Sequence, residues 1–258
     1  MTKAKIIAIA NEKGGVGKST TAAALGSVLI EMGNRVLWID MDPQSSLTNS
    51  LGLKEVSAGI YDVLVGDIEI SKTVLSNKEA EKIFWLIPAC ARLANVEKHM
   101  DEFDKLHILK EAIEEISSQF DYIIIDTPGQ LDILTISSLV AADEVIIPVM
   151  AEAFSRKSFK RFMTTVRGVK KRINKDLVVA GVLITRFVSH YNTQKKVAQD
   201  IAEEAANLDL YTFNVTIRNG VAAQEAHDLD KHIIDHKPKS AVAQDYREAV
   251  LEYLEIAN

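Results

Sequence analysis

Apolar runs of strand length alternate along this chain with stretches whose apolar positions recur every three or four residues. Residues 6–10 form the first apolar run, and residues 18–32 then place Ala22, Leu25, Val28 and Leu29 on one helical face, with Gly33 as a left-handed stop. Residues 35–40 read as a buried strand. Residues 45–82 are less regular, with Gly52, Gly59 and Gly66 between short apolar pieces, and predict short helices and loops. A strand over 83–87 stops at Pro88, and 101–119 predicts an amphipathic helix with Leu106, Leu109, Ile113 and Ile116 inward. Residues 120–126, 144–149 and 177–185 predict further strands, the first apolar enough to be covered on both faces of a parallel sheet. A basic helix follows the strand at 144–149, another helix covers 193–206, and 239–256 carries Ala243, Tyr246, Val250 and Leu254 at helical spacing. This alternation predicts an α/β fold: a single doubly wound domain over residues 1–258, its mostly parallel sheet flanked by helices through right-handed crossovers. No internal repeat, low-complexity linker or helix-turn-helix extension before the first strand is visible. Trp38 and Trp85 lie in apolar strand contexts and are expected in the core.

Composition narrows the picture without directing it. With 258 residues and 47% hydrophobic content the chain can bury a sizeable core, which excludes a dominantly disordered protein. The lone Cys90 excludes an intramolecular disulfide and any thiolate cluster, and fits a reducing compartment. No apolar stretch approaches the roughly 20 residues that span a bilayer, and the early first strand leaves no room for a signal peptide, so a cytoplasmic protein is expected. The six histidines do not form a spaced metal set. Formal charge is −6, but Arg156, Lys157, Lys160, Arg161, Arg167, Lys170, Lys171, Arg172 and Lys175 fall in one stretch without a single acid. Such a run is either a solvated helix face or a surface for the phosphates of nucleic acid.

Candidate chemistry begins at Glu12-Lys13-Gly14-Gly15-Val16-Gly17-Lys18-Ser19-Thr20-Thr21, placed between the first strand and the first helix. The glycines allow backbone N–H groups to turn inward and cradle a phosphate at the positive end of the helix. Gly14, Gly15, Val16, Gly17, Lys18, Ser19 and Thr20 are the expected nucleotide-binding run, with Lys18 on the β and γ phosphates and the Ser19 hydroxyl on Mg²⁺. Relative to G-x-x-x-x-G-K-[ST], Glu12 replaces the first glycine and Lys13 is a second lysine, in excess for one nucleotide unless it reaches the triphosphate of a second subunit. Two further acidic sites end strands. Asp40-Met41-Asp42-Pro43-Gln44 puts two carboxylates at the sheet's carboxyl edge, and Asp126 is placed to hold Mg²⁺.

These three stretches, with residues 121–128 and 141–149, resemble the ParA/MinD family of deviant Walker ATPases, and in particular its ParA/Soj-type partition ATPases. The resemblance implies ATP and Mg²⁺ as cofactors, a homodimer with ATP sandwiched between protomers, slow partner-stimulated hydrolysis, and Lys13 acting in trans. It implies Asp42 as the residue that positions the hydrolytic water, with Asp40 deeper and nearer the metal, so that Lys13, Lys18 and Asp42 are catalytic and Ser19, Asp40 and Asp126 surround Mg²⁺. Thr127-Pro128-Gly129 looks like the family's second switch, where a second proline is commoner, so Gly129 is expected to loosen the loop. Adenine contacts are expected near Ile217, Arg218 and Asn219, although Arg218 stands where relatives have proline and Ala222 where they have a DNA-contacting arginine.

Partition implies non-specific DNA binding, association with the nucleoid and a ParB-type centromere-binding partner. Lys170, Lys171 and Arg172 are the expected DNA contacts, with Lys195 and Lys196 extending the patch if they face the same way. Two relatives remain as alternatives. A MinD-like membrane-surface ATPase would need a basic tail, whereas Glu248, Glu252 and Glu255 make this one acidic, so no membrane contact is expected. A ParA-like ATPase that positions non-DNA cargo would share every motif.

Overall fold

The computed structural model describes residues 3–53, 56–76, 83–101, 105–152 and 155–256. Seven strands, β1 (Lys5–Ile9), β2 (Val36–Asp40), β3 (Leu75–Ser76), β4 (Trp85–Ile87), β5 (Tyr122–Asp126), β6 (Glu144–Met150) and β7 (Val178–Thr185), form one sheet in the order β3-β4-β2-β5-β1-β6-β7. Every pairing is parallel except β3 against β4. The sheet is α/β and mostly parallel, as the alternation predicts. The short antiparallel edge strand β3 falls in the segment read as helices and loops, where two residues are too few to show a period. Parallel bridges Val182↔Thr212 and Phe187↔Arg218 carry the sheet's hydrogen bonding one segment beyond β7.

Helices α1 (Lys18–Glu31), α2 (Ser46–Ser50), α3 (Ile60–Leu64), α4 (Ile108–Ile116), α5 (Ile133–Ala141), α6 (Ser155–Arg172), α7 (Asn192–Ala206), α8 (Val221–Asp228), α9 (Ile233–His236) and α10 (Ala241–Ile256) cover the two faces. Alternate residues of each central strand feed separate cores. Ile6 and Ala8 join the side with α4 to α7, while Ile7 and Ile9 join the side with α1 and α10. The helix predicted over 101–119 is shorter. Residues 102–104 lie outside the described residues, Leu106 sits in a turn, and only Leu109, Ile113 and Ile116 are buried on α4. Residues 54–55 and 77–82 of the irregular segment also lie outside the described residues.

Trp38 is 1% exposed, whereas Trp85, near the sheet edge, is only half-buried against Phe120. Trp38 explains the depth of α1. A Cβ at Gly26 would come within 2.3 Å of the indole, and the indole N–H donates to the Ala22 carbonyl at 2.8 Å. The bare backbone of α1 therefore rests directly on a β2 side chain, which sets how low the start of that helix sits over the sheet.

Candidate functional site

At the carboxyl edge of the sheet, β1 runs into the glycine loop and the loop into α1, whose N-cap is Gly17. Gly15 and Gly17 have φ of 73° and 86°, the left-handed region that side chains disfavour. Gly14 does not adopt that conformation and has open space where a Cβ would stand; the close approach here belongs to Gly129. A Cβ on Gly129 would lie 2.9 Å from the Gly14 Cα and 3.7 Å from the Lys18 Nζ. The segment after Asp126 thus packs tightly on the glycine loop, and a side chain at position 129 would push the two apart. A second proline does not fit this contact.

Lys18 is buried and its ammonium donates to the Lys13 carbonyl at 3.1 Å. Burial pulls its pKa down, while Asp126 and Asp42 oppose that shift. Lys13 points elsewhere: its ammonium lies 2.9 Å from Glu152 of the same chain, just past β6. Thr185, at the end of β7, donates to the Val16 carbonyl at 2.8 Å and fixes the far side of the loop.

Asp40 and Asp126 are register partners at the ends of β2 and β5, and both are completely buried. Their oxygens differ. Asp40 accepts from the Thr48 N–H and hydroxyl on one oxygen, at 2.8 and 2.7 Å, and from the Asp42 N–H on the other at 3.0 Å. Burial still pushes its pKa up to about 6 against those bonds. Neither Asp126 oxygen has a well-formed hydrogen bond among the described residues. Burial, then Asp40 beside it, drives the Asp126 pKa well above the carboxylate range, with Ser19 and Lys18 acting against them. An orphaned buried carboxylate next to a hydroxyl and a lysine is the chemistry of a site for a hard cation. Ser19 and Asp126 fit Mg²⁺; Asp40, with its oxygens already engaged, fits as support for that pair. No cluster of three His, Cys, Asp or Glu side chains able to hold a metal occurs among the described residues, so nucleotide phosphates and water would complete the shell. Asp42 stands at the cavity edge, where its carboxylate accepts the Gln44 N–H at 2.9 Å.

Lys18, Ser19 and Asp42 line a cavity of about 580 Å³ that runs from Gly14 and Lys18, past Pro128 and Gly129, to Ile217, Arg218 and Asn219, whereas Lys13 and the fully buried Asp40 and Asp126 are not part of its lining. The volume suits a nucleotide. The three residues expected at adenine are there, but Arg218 is not a free cation: its guanidinium is clamped on buried Asp245 by two hydrogen bonds of 2.7 Å. Ile217 and Asn219 give their N–H groups to Ile184 and Phe187. Sequence reasoning missed Arg186, which lines the same cavity with φ 51° and donates to the Gly15 carbonyl at 3.3 Å. Its signal was available, since it is a charge at the carboxyl end of an apolar strand, as Asp40 and Asp126 are.

The basic stretch becomes α6, and much of it is already paired. Arg156 and Lys160 both hold Glu204 of α7, at 3.0 and 2.9 Å, and Arg161 holds Glu12. Lys157, Lys170, Lys171, Arg172 and Lys175 are exposed and without a partner among the described residues. Lys195 and Lys196 do not extend the Lys170 end. With Lys160 level with Glu204, the helical rise places Lys171 and Lys196 roughly 25–30 Å apart, at opposite ends of the α6–α7 layer.

Strand, glycine loop and helix around buried acids at the carboxyl edge define a P-loop nucleotide-binding protein. A family profile described as "AAA domain" matches residues 4–179. The sporulation initiation inhibitor protein Soj of Bacillus subtilis is 36% identical over 96% of this chain and 97% of its own length. Among solved structures, the cobyrinic acid a,c-diamide synthase of Mycobacterium smegmatis with bound ATP analogue and magnesium is 32% identical, covers 95% of this chain and 92% of its own, and has a TM-score of 0.83. The ATP complex of a Cyanothece McdA variant is 27% identical over 99% of this chain and 98% of its own, with a TM-score of 0.86. The chain belongs to the ParA/Soj/MinD family of deviant Walker A P-loop ATPases. No helix among the described residues is long and apolar enough to cross a membrane.

Proposed function

We propose that this chain is an ATP-dependent dimerising ATPase for plasmid or chromosome partition, which binds DNA non-specifically as its ATP dimer and leaves it when a ParB-type partner stimulates hydrolysis. The observation that carries the reading is the division between the two lysines. Lys18 fills the chain's own cavity, whereas Lys13 turns out to the rim, where it rests on Glu152 and is free to exchange that partner for the phosphates of another protomer. Similarity to Soj and to the chromosome partitioning protein ParA of Myxococcus xanthus supports the partition role.

In this reading Lys18 and the loop N–H groups bind the β and γ phosphates; Ser19 and Asp126 would hold Mg²⁺, which would supply charge neutralisation at those phosphates. Asp42, at the cavity edge, orients the attacking water, and Gly129 brings the second switch within reach of the γ phosphate. The test is binding to random-sequence duplex DNA with ATP, with ADP and without nucleotide, over a salt series, using Asp42→Ala to hold ATP and Lys13→Gln to prevent the sandwich. ATP-dependent, salt-sensitive binding that Lys13→Gln abolishes is expected. Binding by Lys13→Gln as strong as that of the parent would refute the dimer mechanism, and no binding in any state would refute the DNA role.

A further inference from the structure

The residue that replaces the first glycine of the standard loop has an unusual setting. Glu12 is buried, with its side chain 2% exposed, yet no other acid or base of its own loop answers it. Its partner comes from 149 residues away: Arg161 Nε sits 2.8 and 2.9 Å from its two oxygens. The flanking residues are tied to the same region. Asn11 donates to the Pro148 carbonyl of β6 at 2.7 Å, and Lys13 reaches Glu152 between β6 and α6. The base of the phosphate loop is thereby fastened, residue by residue, to the β6–α6 arm.

Charge decides what the middle fastening does. A carboxylate withdrawn from water keeps its charge only beside a counter-charge, and an unpaired one here would stand two residues from the glycines that receive a triphosphate. Arg161 itself is 76% exposed, so it loses little hydration by serving that purpose. We propose that Arg161 is a positioning residue for the nucleotide: it neutralises Glu12 at the base of the phosphate loop and fixes the backbone from which Lys13 and Lys18 act. This rests on the reading of the loop as an ATP site. It also removes Arg161 from the cations available to DNA.

The test is a double-mutant cycle read by titration of a fluorescent ATP with Mg²⁺, with a thermal melt of each variant as a folding control. Arg161→Met should weaken binding by about ten-fold or more, because it leaves a buried charge unpaired two residues from the glycines of the loop. In a Glu12→Gln background the same substitution should cost no more than about two-fold, since there is no charge left to answer. Lys157→Met removes a charge from the same end of α6 without touching Glu12, and should leave affinity within about two-fold. A loss from Arg161→Met that persists undiminished with Glu12→Gln would overturn the proposal, as would an equal loss from Lys157→Met. If Arg161→Met alone does not fold, recovery of folding and of affinity to within about two-fold in the double variant supports the charge pairing, and a double variant that still fails to fold or bind overturns it. Failure of the unmodified chain to bind the fluorescent ATP would instead refute the nucleotide site itself.

Discussion

At the scale of single residues, the site is organised by what each carboxylate lacks. Asp40 is buried but answered by Thr48 and Asp42; Asp126 is buried and unanswered. An unpaired buried acid costs stability until a cation arrives. Asp126→Asn should therefore raise the melting temperature of the nucleotide-free protein while removing the gain in ATP affinity that Mg²⁺ gives. Relief of about 1 kcal/mol would appear as a shift of about 2–4 °C in a chain of this size. Melts without ligand and ATP titrations with and without Mg²⁺ check both halves. A variant that is less stable and still responds to Mg²⁺ would take Asp126 out of the cation site.

At the scale of elements, α6 and α7 are held together by Glu204 between two cations. Lys160, and after it Arg156, hold its carboxyl below the usual range despite the cost of its own desolvation. Because the folded pKa is the lower one, the stabilisation is complete above the ordinary carboxylate pKa and is lost as pH falls through the lowered value. Glu204→Gln should remove part of the acid destabilisation seen below about pH 4, measured as melting temperature against pH. An unchanged profile would mean the cross-link adds nothing to folding. Such pairs also mark where the sequence stops being readable. Strand β2 and its Asp40–Gln44 ending were legible because periodicity and the motif are local. The clamps Arg161–Glu12 and Arg218–Asp245 were not, since they join residues 149 and 27 positions apart and depend on how helices settle on the sheet. The same holds for Gly129, whose role becomes visible only with Gly14 beside it.

At the scale of the whole molecule, the two groups of cations expected at DNA fall at opposite ends of the α6–α7 layer, with different relations to the face where a second protomer would meet the nucleotide. Lys195 and Lys196 open α7 on the carboxyl side of the sheet, whereas Lys170, Lys171 and Arg172 close α6 at the amino side. Under the proposed reading, charge reversal at Lys195 and Lys196 should remove the ATP-dependent part of DNA binding. Reversal at Lys170, Lys171 and Arg172 should weaken binding equally in every nucleotide state, with the salt slope falling by about 0.9 for each phosphate no longer neutralised. The reverse pattern would move the dimer-dependent DNA surface to the amino side. Another long-range property follows from Gly26 resting on Trp38. The helix that begins at the glycine loop touches a fully enclosed indole through its own main chain, while the other tryptophan, on β4, packs with the core on the opposite face of the sheet. Any sliding of that helix on loading changes the indole's surroundings, so the protein carries its own optical gauge, and its ultraviolet emission can time the filling of the loop without an attached dye.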